Sequence, residues 1–264
     1  MLTLIISLVA AIAAGFASSF DLTPVWCVFN GVVVFAVCWI LIGLLVKRKV
    51  NKVNVSIQEI MAQAQAKINR KMHAFQSRPG GNVKSVQKAL EKEQAAAIME
   101  AIEATGAMEK FFKWNILLKK QINTMRMMLY YQIRDFAKVD ELLPGCLLFD
   151  PRAIAFKLAR MYRKNDPKLE KFFRKKVKHC KGDNCALLYG LYSWILVKRG
   201  ETDKAFELLN EARKKTDNQT IIDNREKLAN GKVKHFSNSG LGETWYSLYL
   251  EEPKIKQQKM HRRF

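Results

Sequence analysis

Acidic residues are scarce in this chain. Its 264 residues carry 24 Asp and Glu against 45 Lys and Arg, a formal net charge of +21. A surplus of that size favours anionic partners: acidic protein segments, an anionic lipid surface or nucleic acid. Proline is scarce too, at six residues, and helix formers dominate from about residue 55 onward. The expected fold class is therefore all-α. The five cysteines, Cys27, Cys38, Cys146, Cys180 and Cys185, form no disulfide framework. That points to a reducing compartment for the soluble part. His73, His179, His235 and His261 are scattered, and His179, Cys180 and Cys185 within one basic helix–loop make a weak zinc case. The chain also lacks GxxxxGK[ST], HExxH and GxSxG, and Gly240–Leu241–Gly242 has neither a third glycine nor a preceding strand. No enzyme, cofactor or metal is expected.

Charge is missing altogether from two mostly apolar runs, residues 2–20 and 25–46. Each is long enough to cross a hydrocarbon core of about 30 Å as a helix. The turn between them has no Lys or Arg, whereas Lys47, Arg48, Lys49 and Lys52 follow the second run. The positive-inside rule then places the large C-terminal part in the cytoplasm, with the N-terminus on the same side. Residues 1–46 thus read as a transmembrane helical hairpin of an integral protein, fitting a bacterial inner membrane. A cleaved signal peptide is the competing reading, because residues 14–19 are rich in small side chains. The absence of Lys or Arg before the apolar part weighs for the intact hairpin.

Residues 47–110 read as a basic juxtamembrane segment and a helical hairpin. Ser56 and Glu59 have the spacing of a capping box, with Val55 positioned to staple onto Ile60. Ile57, Ile60, Met61, Ala64, Ile68, Met72 and Phe75 form one stripe, ended by Arg78–Pro79–Gly80–Gly81. A second helix is expected from about residue 82 to 105, and a capping or packing element is preferred to a coiled-coil stalk. A third long helix is expected over residues 108–133. Its Phe111, Phe112, Trp114, Met125, Met127 and Met128 are read first as core.

Residues 186–219 carry two amphipathic helices divided at Gly200. Tyr189, Tyr192, Ser193 and Leu196 give the first an inner face, and Ala205, Leu208, Leu209 and Ala212 the second. Gly200 supplies a left-handed stop, and Thr202 and Asp203 are N-cap candidates. This layout resembles a tetratricopeptide repeat (TPR), a helix–turn–helix of about 34 residues. Gly200, Ala205, Leu209 and Ala212 match its turn glycine, small, large and second small positions, while Tyr189, Ser193 and Asp217 depart from it. A step of 66 residues, about two repeats, sets Arg134 under Gly200, Val139 under Ala205, Leu143 under Leu209 and Pro151 under Asp217. Between the copies lies room for one more, broken at Asn165–Asp166–Pro167. Residues 111–235 are therefore expected to form a short TPR-like α-solenoid. Residues 236–264 would be a capping segment, with Trp245 and Leu248 on the last repeat, followed by a basic tail.

The resemblance implies a groove lined by the first helix of each repeat, taking a peptide or helix of a protein partner. Its positions here are Gln121, Met128 and Tyr131, then Lys157, Met161 and Lys164, then Trp194, Val197 and Lys198. The lysines suit an acidic segment, and Met128, Met161 and Trp194 would be apolar anchors. A second candidate surface is the basic run of Arg160, Arg163, Lys171, Arg174, Lys175, Lys176 and Lys178, suited to anionic membrane lipid. In layout the chain is similar to HemY-like membrane-anchored TPR proteins. That similarity implies a scaffold or adaptor. The alternative is a membrane-tethered RNA- or ribosome-binding adaptor using the basic face.

Overall fold

The structure is a computed structural model that describes residues 1–20, 23–77, 83–178 and 180–253. All regular structure among them is helical. The stop at Arg78–Gly81, His179 and the basic tail from Lys254 lie outside the described residues. The chain divides into two compact units, Met1–Leu147 and Leu148–Phe264.

The first unit opens with α1 (Leu2–Ser18) running antiparallel to the start of α2 (Pro24–Ser77). Thr3, Ser7, Ala11 and Gly15 recur every four residues, so one face of α1 is small throughout. Such a face lets two backbones approach closely. A Cβ built on Gly31 would stand 3.2 Å from the Ala11 carbonyl oxygen, and one on Gly15 would stand 3.5 Å from that of Cys27. Ser7 is fully buried, and its hydroxyl donates back to the Thr3 carbonyl at 2.8 Å. One helix among the described residues, α2, is long and apolar enough to cross a membrane; α1 is a shorter apolar helix of 17 residues.

No new helix starts at Ser56. Helix α2 runs unbroken for 54 residues, through Lys47–Lys49 and through the expected capping box. Val55 stays exposed. The reason is the lack of any breaker: no Pro or Gly occurs between Gly43 and Ser77. A formed helix propagates cheaply, and a cap residue inside it has no orphan N–H to satisfy. Helix α3 (Val83–Ala104) then packs on the second part of α2.

The expected continuous helix over 108–133 is interrupted. A 3-10 segment spans Thr105–Phe111, and α4 (Ile116–Gln132) begins after it. Asn115 is extended at φ −137° and its side chain accepts from the Leu117 N–H at 2.9 Å. Asparagine makes a good N-cap, so it wins a local helix start over continuation. Arg126 on α4 holds the 3-10 segment, donating to the Thr105 hydroxyl at 2.6 Å and to Glu109 at 2.7 Å. Ile57, Ile98, Ile102, Met108, Leu118 and Ile122 form the core, with Phe111, Phe112 and Met125 packed against it. Of the methionine–aromatic stripe, Met127 is fully buried and Phe111, Phe112 and Met125 pack on the core, while Trp114 and Met128 are half-buried. Helix α5 (Phe136–Leu142) closes this unit.

In the second unit α6 (Pro151–Arg163) and α7 (Leu169–Val177) precede α8 (Asp183–Lys198) and α9 (Thr202–Arg213), and α10 (Gln219–Ala229) follows. Helix α8 is central. Every residue from Cys185 to Leu196 is buried, where one inner face was expected. A helix apolar on all sides must be covered on all sides. Phe173 of α7 stacks on Tyr192 at 4.2 Å, and Tyr189 donates its hydroxyl proton to Glu211 of α9 at 2.7 Å. Burial pushes the Tyr192 phenol up to about 12, with Glu170 adding to the shift. Helix α9 begins at Thr202 with Glu201 as its N-cap residue, not with Thr202 or Asp203 in that role.

Four helices end in the same way. Arg134 (φ 60°), Asn165 (53°), Gly200 (79°) and Gly231 (66°) follow α4, α6, α8 and α10 in the left-handed region, at intervals of 31, 35 and 31 residues. In each, the next N–H reaches back five residues: Asp135 to Tyr130, Asp166 to Met161, Glu201 to Leu196 and Lys232 to Lys227, at 2.8–3.0 Å. This is the Schellman closure of a helix C-terminus. The 66-residue step between Arg134 and Gly200 therefore joins two equivalent turns.

Candidate interaction surfaces

Helices α6, α8 and α10 present a face to the chain's own C-terminal segment. Tyr162 near the end of α6 meets Trp194 near the end of α8 edge-on at 5.5 Å, and Ile154 and Leu188 near their starts line one pocket, so the two helices run side by side in the same direction. Across them lies the stretch that includes α11 (Glu243–Tyr246). Asn238 is fully buried and donates to the Gly190 carbonyl at 2.7 Å. Asn224 of α10 donates to the Asn238 side-chain oxygen and to the Ser237 carbonyl, both at 3.0 Å. The segment lies close over Gly190, where a Cβ would stand 2.9 Å from Leu241 Cδ1 and 3.4 Å from the Asn238 side-chain oxygen. Trp245 is fully buried edge-on against Trp194 at 5.6 Å. The Glu251 carboxylate accepts from both indole N–H groups, at 2.8 Å from Trp194 and 3.0 Å from Trp245. Arg163 adds a bond to the Tyr249 carbonyl at 3.1 Å.

The nine positions expected along a groove separate accordingly. Gln121, Met128 and Tyr131 belong to the first unit and the other six to the second. Tyr131, Met161 and Trp194 are buried, so they serve as internal packing. Met128, Lys157 and Val197 are half-buried, while Gln121, Lys164 and Lys198 are exposed. Lys198 sits over the Trp194 ring at 5.3 Å, beside the segment that covers it. A capping segment was expected on the last repeat; its reach onto Trp194 depends on Glu251, 57 residues away.

The basic run also divides. Arg174 is committed to Glu211 at 2.8 Å and lies 3.9 Å from Glu170. Arg163 bonds the C-terminal segment, and Arg160 is half-buried. Lys171, Lys175 and Lys178 are exposed, and no described carboxylate pairs with them. Lys157 and Lys176 flank the Phe172 ring, at 4.8 and 5.9 Å. Lys176 donates to the Leu148 carbonyl at 2.7 Å, and burial, then the nearby charges of Lys175 and Lys157, lowers its pKa. Beside it a pocket of about 360 Å³ opens between Leu148, Phe149, Ile154, Leu188 and the Lys175–Lys176 pair. Lys181, part of the same basic crowding in the sequence, and Phe149 stand on its margin; Phe149 was not singled out by sequence, although an aromatic just before an Asp–Pro helix start was a visible signal.

Among the described residues, no three His, Cys, Asp or Glu side chains converge as a metal site. Cys180 and Cys185 are both buried, and burial, then Cys180, pushes the Cys185 thiol up to about 12. The Cys185 thiol is therefore not a poised nucleophile. Comparisons with known protein families, curated proteins and solved structures find no match to this chain.

Proposed function

We propose that this chain is a membrane-anchored scaffold that recruits a protein partner through its TPR-like helical unit. The carrying observation is the pairing of α1 with α2 over their small faces while Val9, Ile12 and Phe16, and opposite them Val25, Phe29 and Val32, face outward and exposed. That much outward apolar surface suits lipid, not water. Lys47, Arg48 and Lys49 at its end favour the cytoplasm for everything beyond, with a bacterial inner membrane as the fitting location. The Leu2 N–H bonds the Lys113 carbonyl at 2.9 Å and the Thr3 hydroxyl bonds that of Trp114 at 2.6 Å. These bonds favour α1 as a retained part of the fold over a cleaved signal.

The recurring left-handed turn, at intervals close to the repeat length of about 34 residues, favours the TPR-like reading. Because the C-terminal segment occupies the α6–α8–α10 face, partner recognition is assigned to the basic surface around α7. The net charge of +21 is its driving force.

The test is photo-crosslinking from positions 171 and 175 of the full chain in native membranes, read by mass spectrometry. One protein partner recurring at both positions is the expected result. Crosslinks only to lipid, or only to RNA-bound and ribosomal species, would overturn the scaffold and leave the lipid or RNA adaptor.

A further inference from the structure

Helix α6 begins with a construction that is left unfinished. Asp150 caps it, its carboxylate accepting from Arg152 N–H at 2.7 Å, and Pro151 fills the first helical position. In such a start the residue before the cap folds onto the fourth helical residue as a hydrophobic staple. Here those residues are Phe149 and Ile154. Both border the 360 Å³ pocket, yet Phe149 remains 77 % exposed. The pocket floor, Leu148, Ile154 and Leu188, is aliphatic and buried.

The margin is cationic. Lys175, Lys176 and Lys181 line it, and Lys157 stands beyond the Phe172 ring that Lys176 shares. None of the four has a carboxylate partner among the described residues. An exposed aromatic, an aliphatic recess and uncompensated ammonium groups converge on one spot.

We propose that this pocket docks an acidic segment of a protein partner, which seats one apolar side chain against Phe149, Ile154 and Leu188. Carboxylates on either side of that side chain meet Lys175, Lys176 and Lys181. The volume lies near the lower end of the range of about 300–1,000 Å³ for ligand pockets, which suits one bulky side chain better than paired acyl chains. An aliphatic floor offers little to the hydrogen-bonding edges of a base, which disfavours RNA. Lysines at a margin add encounter rate and salt dependence, while the buried apolar anchor holds the complex.

The inference rests on the scaffold reading, and its test is separable. The full chain in nanodiscs is titrated with a fluorescein-labelled peptide of glutamates around one phenylalanine, and with its serine counterpart. The phenylalanine peptide is expected to bind about tenfold more tightly, roughly what one buried anchor contributes. Binding weakens by about tenfold or more in the combined Lys175→Gln, Lys176→Gln and Lys181→Gln variant, and survives the three Arg replacements. Phe149→Ser weakens the phenylalanine peptide alone. Bound peptide also slows alkylation of Cys180, which lines the pocket, relative to Cys146. Equal binding of the two peptides, or affinity indifferent to the three glutamines, overturns the pocket. So does tighter occupation of the same lysines by phosphatidylglycerol vesicles or an RNA oligonucleotide. A protein crosslinked at positions 171 and 175 alongside a peptide that ignores the lysines would remove the pocket and keep the scaffold.

Discussion

Glu251 and Trp194, far apart in sequence, are joined at 2.8 Å, and the same carboxylate takes the N–H of Trp245 at 3.0 Å. One acid thus satisfies two indoles that meet edge-on inside the second unit. Glu251→Ala leaves two buried donors without an acceptor, which costs about 1–3 kcal/mol. Glu251→Gln keeps an acceptor oxygen and loses less. Thermal unfolding together with tryptophan emission checks this. A red shift at unchanged Tm would show that the segment lifts without contributing stability.

The four left-handed turns make opposite predictions at different residues. Arg134 occupies at φ 60° a conformation that costs a side chain about 1–2 kcal/mol, which glycine avoids. After the extra backbone entropy of glycine is counted, Arg134→Gly should stabilise by up to about 1 kcal/mol. Gly200→Ala, at φ 79°, should destabilise by about 1 kcal/mol. Chemical denaturation of both variants measures the pair. The same sign for both would mean that the turns are not equivalent.

Helix α1 meets α2 across Gly31, where a Cβ would already stand 3.2 Å from the Ala11 carbonyl. Gly31→Leu is expected to separate the helices. Val33→Leu, on an exposed face of the same helix, should not. Disulfide formation between native Cys27 and a cysteine introduced at Gly15, whose Cβ would lie 3.5 Å from the Cys27 carbonyl, reports the pairing. Crosslinking that persists in Gly31→Leu counts against close packing as its basis.

Tyr192 predicts an alkaline weakness. Its phenol is held up to about 12, against an ordinary value of 10.0, so folding favours the neutral form. That stabilisation is complete below pH 10 and is lost as pH rises from 10 toward 12. Tyr192→Phe has no such proton to lose and should weaken less across the window. Melting curves of the two proteins that shift in parallel would show that Tyr192 contributes nothing to it.

The helical class and the turn at Gly200 were legible because the signals are local. Ala205, Leu208, Leu209 and Ala212 fall on one helical face, and all four are buried. The 66-residue offset to Arg134 could be read for the same reason, as spacing survives even where glycine does not. Ser56 misled because a capping box is a local pattern whose outcome depends on whether the preceding residues are already helical. Trp194 misled because its environment is set by Glu251 and Trp245, which no periodicity around Trp194 encodes. The candidate pocket was half visible. Lys175, Lys176 and Lys181 stood out by charge, whereas Phe149 joins them only through the folding of α6 against α8.

Helix α2 has one further property, which concerns phase. Its apolar start and the residues that build the first core, Ile57 among them, belong to a single unbroken rod of 54 residues. At 3.6 residues per turn, one residue inserted near Val46 rotates everything beyond it by about 100° and advances it by about 1.5 Å. The core that Ile57 builds with α3 and α4 would then turn as one body against α1, breaking the bonds from Leu2 and Thr3 to Lys113 and Trp114 although nothing near them had changed. Two environments share one angular register, and neither can be rephased without the other.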